Sequence, residues 1–411
     1  MLSNFLKSYL RFWARRYLKR VKPKIIAVTG STGKTSTKEA IFEVLKNAFG
    51  QQVRRSEGNL NTVYGVPLAI LGFKKPPVPL DKPFSPWPWI PIIFAVPFKI
   101  WSNSSTKYLV LEIAADRPGD IKFTTTYLRP DMVVITNLGP AHLEIFGTVE
   151  KIIKEKIQLL YALSKDGLAF LNIDDETLKK IAERGEGNIK TFAIENNADI
   201  TAKNITTEIS ENNDKIIKPL TKFQLVTHKT RFLAEIMTLG RQTNIYTALA
   251  AAAIGNILNL SREQILEGLK NIHPEKHRME VLLGKNNSII IDDTYNANPL
   301  SMKAALDTLK ILPARRKIAV LGDMLELGKI SQEAHKLIGQ YAQEITDQVI
   351  GIGKLAKDYQ ANKYFENKQD AINYLLNELQ KGDKMQGVPL ILLKASRGIA
   401  LEEVVEALRN K

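Results

Sequence analysis

The chain has 411 residues, 44% of them hydrophobic and 25% charged, a composition ordinary for a soluble globular protein of two or three domains. It contains no cysteine, which excludes disulfides, thiol nucleophiles and cysteine-bound zinc and fits a reducing cytoplasm. The formal net charge of +15 indicates an anionic partner, for which a nucleotide, a phosphorylated substrate, a membrane surface and a nucleic acid are the candidates.

Residues 1–23 predict a basic aromatic helix. Residues 1–24 hold eight basic and no acidic side chains, and five aromatic ones recur at helical spacing. The segment has no uninterrupted apolar stretch, so it does not match a signal peptide. Two interpretations stay open: the helix lies on an anionic membrane surface, or it packs its aromatic rings on the body of the protein and leaves its charges in solvent.

A phosphate-binding loop follows. Residues 25–28 predict a buried strand, and residues 34–49 predict a helix with one apolar face. The turn between them has the short pattern Gly-x-x-Gly-Lys-Thr, with Val28 where the full P-loop pattern has its first glycine. Backbone N–H groups and a helix N-terminus at such a turn bind phosphate, and the lysine and threonine suit a phosphate clamp and a Mg²⁺ ligand. We predict that nucleotide phosphates bind at Gly30, Ser31, Thr32, Gly33, Lys34, Thr35 and Ser36.

Residues 74–101 form an insertion rich in proline and tryptophan. Only sixteen residues separate Lys82 from Lys99, and prolines interrupt them, whereas a membrane-spanning helix needs about 20 apolar residues. The insertion either packs on its domain, contacts a membrane surface or covers the substrate. Membrane contact would involve residues 83–101.

Two further strands bring polar side chains to one edge of the sheet. Residues 108–111 predict a strand that ends at Glu112, and residues 132–135 predict another. The loops after the carboxyl ends of parallel strands carry the chemistry of such sheets. We therefore expect Glu112 to reach a metal ion held by Thr35, with His142 in a loop at the same edge.

The rest of the chain predicts more α/β structure. Residues 167–260 are expected to alternate strands and helices. A boundary near residues 273–276 separates a central domain, residues 24–275, from a C-terminal domain, residues 276–411. Further strands are predicted at 288–291, 318–321, 349–352 and 390–393. The predicted fold is thus α/β, with a doubly wound P-loop sheet followed by a smaller Rossmann-like domain.

Several motifs occur in a characteristic order from about residue 24 to the C-terminus. They are the phosphate-binding loop, Gly-Asn-Leu-Asn at 58–61, Glu112, residues 136–144, Arg278, Asp-Asp-Thr-Tyr-Asn-Ala-Asn-Pro at 292–299 and Gly-Asp-Met-Leu-Glu-Leu-Gly at 322–328. In this order they resemble the Mur ligase family of ATP-dependent amide-forming enzymes. The last two runs resemble the branch that adds D-alanyl-D-alanine to a UDP-muramoyl tripeptide. The resemblance implies a ligase of peptidoglycan synthesis that acts on these two small molecules.

The resemblance also implies roles for single residues of the central domain. Lys34 would hold the β- and γ-phosphates of ATP, Thr35 and Glu112 a first Mg²⁺, and His142 a second Mg²⁺. Lys156 resembles the lysine that family members carry as a carbamate, which would offer Mg²⁺ an anionic oxygen. By its spacing alone, Lys156 would be a solvated lysine on a helix.

Four further residues are implied to contact the nucleotide. Arg278 would reach the γ-phosphate from the C-terminal domain, Asp293 the ribose, and Asn296 the nucleotide or the incoming amine. Asn244 would approach the adenine, and it alone remains of the His-Asn-x-x-Asn pattern usual at that place.

The implied reaction has two steps and needs no side-chain nucleophile. A substrate carboxylate takes the γ-phosphate of ATP to give an acyl phosphate, and the amine of the dipeptide then displaces phosphate. Two Mg²⁺ ions and a lysine would stabilise the transferring phosphoryl group once the two domains close on each other.

One expectation departs from the family. The usual N-terminal domain, which binds the UDP-muramoyl end, has no counterpart in this sequence. Either another protein holds that end, or the central domain recognises the peptide alone, or the substrate differs, for example a lipid-carried precursor at the membrane.

Two other interpretations of the function stay open. One is a Mur-type ligase that uses a different amino acid or a polyglutamate-type chain. The other is a basic P-loop protein that binds nucleic acid, which is not favoured because the positive charge concentrates in the N-terminal helix and no nucleic-acid-binding module is recognisable. We expect a monomer in the cytoplasm, in peripheral contact with the inner face of the membrane.

Overall fold

The computed structural model describes residues 2–77, 87–101, 105–140, 143–211, 217–228, 230–240, 243–381 and 388–410. His142, the expected ligand of a second metal ion, lies outside the described residues, and so does part of the insertion, residues 78–86. The described chain forms two α/β units, each built around one sheet.

The first sheet has nine strands within the described residues, in the order β2-β3-β1-β4-β5-β6-β7-β8-β9. These are β1 (Lys24–Thr29), β2 (Val53–Arg55), β3 (Tyr108–Glu112), β4 (Met132–Ile135), β5 (Leu168–Asn172), β6 (Asn188–Ala193), β7 (Ile200–Glu211), β8 (Ile217–Thr227) and β9 (Arg231–Ile236). All pairs from β2 to β7 are parallel, whereas β8 pairs antiparallel with both β7 and β9.

Helices cover both faces of this sheet. They are α1 (Leu2–Val21), α2 (Lys34–Phe49), α3 (Gly65–Ile70), α4 (Ile90–Lys99), α5 (Asp120–Thr125), α6 (Leu143–Phe146), α7 (Val149–Tyr161), α8 (Glu176–Glu183), α9 (Thr243–Ile257) and α10 (Arg262–Lys270). In β1, Ile25 and Ala27 pack in the layer of α1, α3 and α7, and Ile26 and Val28 pack in the layer of α2, α9 and α10. A strand covered on both faces must be apolar throughout, which explains the unbroken apolar sequence of β1.

The second sheet has six strands in the described residues, in the order β10-β11-β15-β12-β13-β14. They are β10 (Glu280–Leu283), β11 (Ile289–Asp292), β12 (Arg316–Gly322), β13 (Gln348–Ile352), β14 (Lys363–Phe365) and β15 (Pro389–Lys394), with helices α11 (Pro299–Ile311), α12 (Ser331–Ile345), α13 (Lys368–Lys381) and α14 (Glu402–Leu408). Only β10 runs antiparallel among these strands. The predicted α/β fold is confirmed, and residues 24–275 and 276–411 remain the proposed domain limits.

The expected alternation of strands and helices is wrong for residues 200–236, where β7, β8 and β9 follow one another as an antiparallel meander. Within β8, Phe223 and Leu225 are buried against α9 and α10, and Lys222 and Gln224 are partly exposed between them. An antiparallel edge of a sheet needs only one apolar face, so buried and exposed residues alternate with a period of two. This alternation is the sequence signal that predicts the meander.

Helix α1 packs one of its faces on the first sheet. Its buried side chains are Leu6, Leu10, Ala14 and Tyr17. The Tyr17 hydroxyl accepts a hydrogen bond from Arg54 Nη1 at 2.8 Å, which ties α1 to β2. Across the described part of the chain, no helix combines the length and hydrophobicity that crossing a bilayer requires.

Helix α10 approaches α2, the helix that follows the phosphate-binding loop, very closely. A Cβ atom on Gly268 would lie 2.5 Å from the Cα of Val44. We therefore expect Gly268→Ala to lower the free energy of unfolding by about 1–3 kcal/mol in urea denaturation, although alanine favours a helix by about 1 kcal/mol over glycine. Glu267→Ala, at an exposed position of the same helix, is the matched control and should change stability by less than about 0.5 kcal/mol. Equal stability of Gly268→Ala and the wild type would contradict this packing.

Candidate active site

The phosphate-binding loop lies against the residues that follow β4. Gly30 has φ +150°, and a Cβ atom there would lie 1.9 Å from Thr136 Oγ1, so only glycine fits. Thr136 Oγ1 donates a hydrogen bond to Thr32 O at 2.6 Å. Asn137 Oδ1 accepts hydrogen bonds from the N–H groups of Ser31 (3.1 Å) and Thr32 (2.8 Å). The neighbouring strand thus fixes the shape of the loop.

Lys34 is the first residue of α2, and its side chain turns back over the loop. Gly33 precedes it in a left-handed conformation, with φ +73°. Lys34 Nζ donates a hydrogen bond to Gly30 O at 3.0 Å. Burial lowers the pKa of Lys34, and the carboxylate of Glu112 partly offsets this effect. A partly buried ammonium beside the N-terminus of a 16-residue helix makes this loop suited to a phosphate group.

Glu112 ends β3 and carries a carboxylate oxygen without a hydrogen bond. In the parallel pairing of β3 with β1, Glu112 lies opposite Val28, two residues before Gly30. Glu112 Oε1 accepts a hydrogen bond from Asn61 Nδ2 at 2.9 Å, whereas Oε2 is buried and makes none within the described residues. A buried carboxylate oxygen is costly without a partner, and a divalent cation would satisfy it. Glu112 and Thr35 line the same cavity and together offer the oxygen ligands that Mg²⁺ prefers.

Lys156 is buried beneath the loop instead of lying in solvent. Its side chain projects from α7, and Nζ donates a hydrogen bond to Gly30 O at 3.0 Å. Burial, followed by repulsion from the Lys34 ammonium, lowers the pKa of Lys156 to about 7. A lowered pKa leaves more of the amine neutral near pH 7 than in an ordinary lysine, and a neutral amine can act as a nucleophile. The position of Lys156 overturns the alternative of a solvated helix lysine.

Arg278 connects the C-terminal domain to the phosphate-binding loop. Its Nη2 donates a hydrogen bond to Thr35 Oγ1 at 3.3 Å, and its Nε pairs with Glu275 at 3.1 Å. The guanidinium lies 3.8 Å from the ring centroid of Tyr295, whose hydroxyl donates a hydrogen bond to Asn59 Oδ1 at 3.0 Å. These contacts place a permanent positive charge beside Thr35.

The three residues expected near the nucleoside also line the cavity. Asp293 is paired with Lys394 at 2.5 Å, and burial raises the pKa of Asp293 while Lys394 partly offsets the rise. The backbone oxygen of Asn296 accepts a hydrogen bond from the same Lys394 ammonium at 2.9 Å. Asn244 Nδ2 donates to Thr238 Oγ1 at 2.8 Å, so this amide is oriented by its own domain.

Both domains line a cavity of about 850 Å³. The predicted site residues that line it are Ser31, Thr32, Gly33, Lys34, Thr35, Ser36, Glu112, Asn244, Arg278, Asp293 and Asn296. Gly30 lies within the loop and Lys156 beneath it, and neither lines the cavity, whereas Lys74, Lys75 and Arg397 do.

Sequence reasoning gave no role to four residues that shape the site. Asn61, Asn137 and Tyr295 lie inside the motifs described above. Their amide and hydroxyl groups could therefore have predicted that these side chains form hydrogen bonds in the site. The pairing of Lys394 could not be derived from sequence spacing, because its partner Asp293 is 101 residues away.

The family models for the Mur ligase middle domain and for the Mur ligase glutamate ligase domain match residues 94–255 and 277–397. The UDP-N-acetylmuramoyl-tripeptide--D-alanyl-D-alanine ligase of Buchnera aphidicola is 33% identical over 391 residues, which are 93% of this chain and 75% of the relative. The Bacillus subtilis enzyme of the same name is 30% identical over 96% of this chain and 78% of its own.

Solved structures are similar over nearly the whole chain. The MurF ligase of Thermotoga maritima in complex with ADP superposes with a TM-score of 0.79 at 26% identity, over 98% of this chain and 83% of that one. A MurF structure from Acinetobacter baumannii has the same TM-score and identity, over 97% and 79% of the two chains. These relatives confirm the predicted resemblance.

We expect Glu112→Gln to weaken the binding of ADP in the presence of Mg²⁺ by about 10–100-fold and to leave binding in EDTA unchanged. The glutamine amide oxygen can still accept the hydrogen bond of Asn61, but the negative charge that would attract Mg²⁺ is lost. Isothermal titration with and without Mg²⁺ measures the difference. Glu263→Gln, exposed on α10, should behave as the wild type. If Mg²⁺ strengthens ADP binding by Glu112→Gln as much as it strengthens binding by the wild type, Glu112 is excluded as a metal ligand.

Proposed function

This chain belongs to the Mur ligase family, and from that premise we propose that it joins D-alanyl-D-alanine to a muramoyl tripeptide, with ATP as the phosphate donor. The observation that carries this proposal is the cavity between the domains, which brings Lys34, Glu112 and Arg278 around one phosphate-binding loop. Relatives named for this reaction match more than nine tenths of the chain.

We assign the chain's own residues to two steps. In the first, the terminal carboxylate of the tripeptide attacks the γ-phosphorus of ATP, a P–O bond forms, and ADP leaves. Lys34 and Arg278 stabilise the charge on the transferring phosphoryl group from opposite domains. In the second, the amine of D-alanyl-D-alanine attacks the acyl phosphate carbon, phosphate leaves with the C–O electron pair, and the amine proton passes to solvent. Enclosure between the domains protects the acyl phosphate from water.

Mg²⁺ would be held by Thr35 and Glu112, where it would neutralise negative charge on the phosphates. The unsatisfied Oε2 of Glu112 supports this assignment.

We further propose a second ion, bound by His142 and by a carbamate on Lys156. The carbamate would form when the neutral amine attacks CO₂ and releases one proton to the buffer. Burial of Lys156 and its pKa of about 7 support this chemistry.

We also propose that the reaction takes place in the cytoplasm, where ATP is supplied, at the inner face of the membrane. The basic helix α1 supports the second part of this proposal.

The decisive assay combines ATP, Mg²⁺, a UDP-muramoyl tripeptide and D-alanyl-D-alanine, with phosphate release and product mass as readouts. We expect one phosphate per pentapeptide formed. Lys34→Met should lower the turnover number by about 100-fold or more, because it removes the ammonium that stabilises negative charge on the phosphoryl group. Lys270→Met, exposed at the end of α10, is the matched control. If turnover occurs only with another amine, that amine replaces D-alanyl-D-alanine as the proposed acceptor. If no amine supports turnover, the proposal is overturned.

The carbamate can be detected directly by ¹³C NMR after equilibration with ¹³CO₂. At a fixed concentration of dissolved CO₂, the signal should increase from pH 6 to pH 8, because the pKa of Lys156 is lowered and the reactive neutral amine increases across that interval. Lys156→Arg keeps a cation that cannot react, so the signal should vanish and turnover fall by about 100-fold. Lys154→Arg, exposed on the same helix, should change neither. Full activity of the wild type without any carbamate signal would refute this role.

A further inference from the structure

One surface of the protein exposes large apolar side chains beside a concentration of cations. We call it the basic aromatic surface and define it by the exposed residues of α1 and of residues 87–101. Its apolar members are Phe5, Phe12, Trp87, Ile90, Phe94, Phe98 and Trp101. Phe94 and Phe98 are 72% and 77% exposed, and Trp87 and Trp101 are 75% and 72% exposed. Such a group of exposed rings is unusual on a protein surface and marks an interaction site.

Exposed apolar side chains form a continuous stripe along α4 and just past its end. Ile90, Phe94 and Phe98 recur every four residues on one side of the helix, and Trp101 follows in the turn after it. Val96 and Ile100 point the other way and are buried in the layer that covers the first sheet. The helix is therefore anchored by one apolar face while it presents a second one outward, whereas a helix facing water ordinarily presents polar groups there.

Helix α1 lies beside this stripe and supplies the positive charge. The Tyr9 hydroxyl donates a hydrogen bond to Ile93 O at 2.7 Å, and the Arg20 guanidinium lies 4.7 Å from the ring centroid of Trp101. Residues 1–24 contain eight basic and no acidic side chains. Arg15, Arg16, Lys19 and Arg20 are exposed. The cations and the rings therefore belong to one surface.

We propose that the basic aromatic surface docks on an anionic lipid bilayer, with α1 and α4 lying in the plane of the interface. Aromatic rings are favoured at the headgroup level, and each lysine or arginine near an anionic surface strengthens binding by about 5-fold. A second copy of this chain does not fit, because two surfaces of the same positive charge would face each other. Peripheral binding of this kind needs no spanning helix, and the helices of the described chain include none.

The helices that carry the docked surface also contact segments that lie next to cavity-lining residues in the sequence. Lys7 and Trp89 both contact the ring of Tyr64, at 5.4 and 5.6 Å, and Tyr64 follows the cavity-lining loop that ends at Thr62. Lys99 lies 5.4 Å from the ring centroid of Phe73, which precedes the cavity-lining residue Lys74. This proposal does not depend on the ligase reaction.

The test is co-sedimentation of the full chain with vesicles of phosphatidylcholine and phosphatidylglycerol, and with vesicles of phosphatidylcholine alone, at low and high salt. We expect binding to the anionic vesicles that weakens with salt. The variant Arg15→Gln/Arg16→Gln/Lys19→Gln should lower the partition constant by about 100-fold, because three cations near the surface are lost. Phe94→Ser/Phe98→Ser should also abolish most binding, since it removes two inserted rings.

The matched control is Leu337→Ser/Tyr364→Ser, which removes two exposed apolar side chains from the C-terminal domain and should bind vesicles as the wild type does. Affinity for Mg²⁺·ADP reports that each variant is folded. Equal binding of the wild type to both vesicle types would overturn the proposal, and so would wild-type binding by Phe94→Ser/Phe98→Ser. A dimer of the wild type in sedimentation that both surface variants abolish would show self-association through this surface. That result would also overturn the proposal. The ligase assay without vesicles tests the proposed reaction separately.

Discussion

The close contact between Gly30 and Thr136 is the constraint on which the site depends. It exists because β1 is paired in parallel with β3 on one side and with β4 on the other, so three strands end at one edge of the sheet. That geometry delivers Glu112 and Asn137 to opposite sides of the same loop. Since the carbonyl of Gly30 also accepts hydrogen bonds from Lys34 and Lys156, one backbone unit fixes the spacing between these two ammonium groups.

Sequence patterns predicted the elements that local chemistry determines. The strand, glycine-rich turn and helix around Lys34 could be read directly, because the turn needs glycine and the buried strand needs apolar residues. The polar ends of β3 and β4 could also be placed, since parallel strands align their carboxyl ends. The burial of Lys156 could not be read from spacing, because it depends on how α7 packs against the loop. The meander of β7 to β9 was missed although β8 alternates regularly, because a register shift between Lys203 and Thr206 interrupts the period of two in β7.

At the junction between the domains, two residues with a strained backbone flank Arg278. His277 and Met279, on either side of it, have φ values of +64° and +55°. Such left-handed conformations cost about 1–2 kcal/mol per non-glycine residue. Specific hydrogen bonds offset this cost: His277 Nδ1 pairs with Asp292 at 2.7 Å, and the N–H of Met279 donates to Asp293 at 3.2 Å. The strained segment therefore fixes the direction in which the arginine leaves the C-terminal domain.

The strand order has a consequence for synthesis on the ribosome. Strand β1 is made before its two neighbours, which begin only at Tyr108 and Met132. At about 5–20 residues per second, this apolar strand waits roughly 4–17 s for its first pairing partner, β3. During that delay the nascent chain exposes an unpaired, apolar strand edge, which chaperones bind and which aggregates readily. Translation speed between the phosphate-binding loop and β3 therefore bears directly on the yield of folded protein.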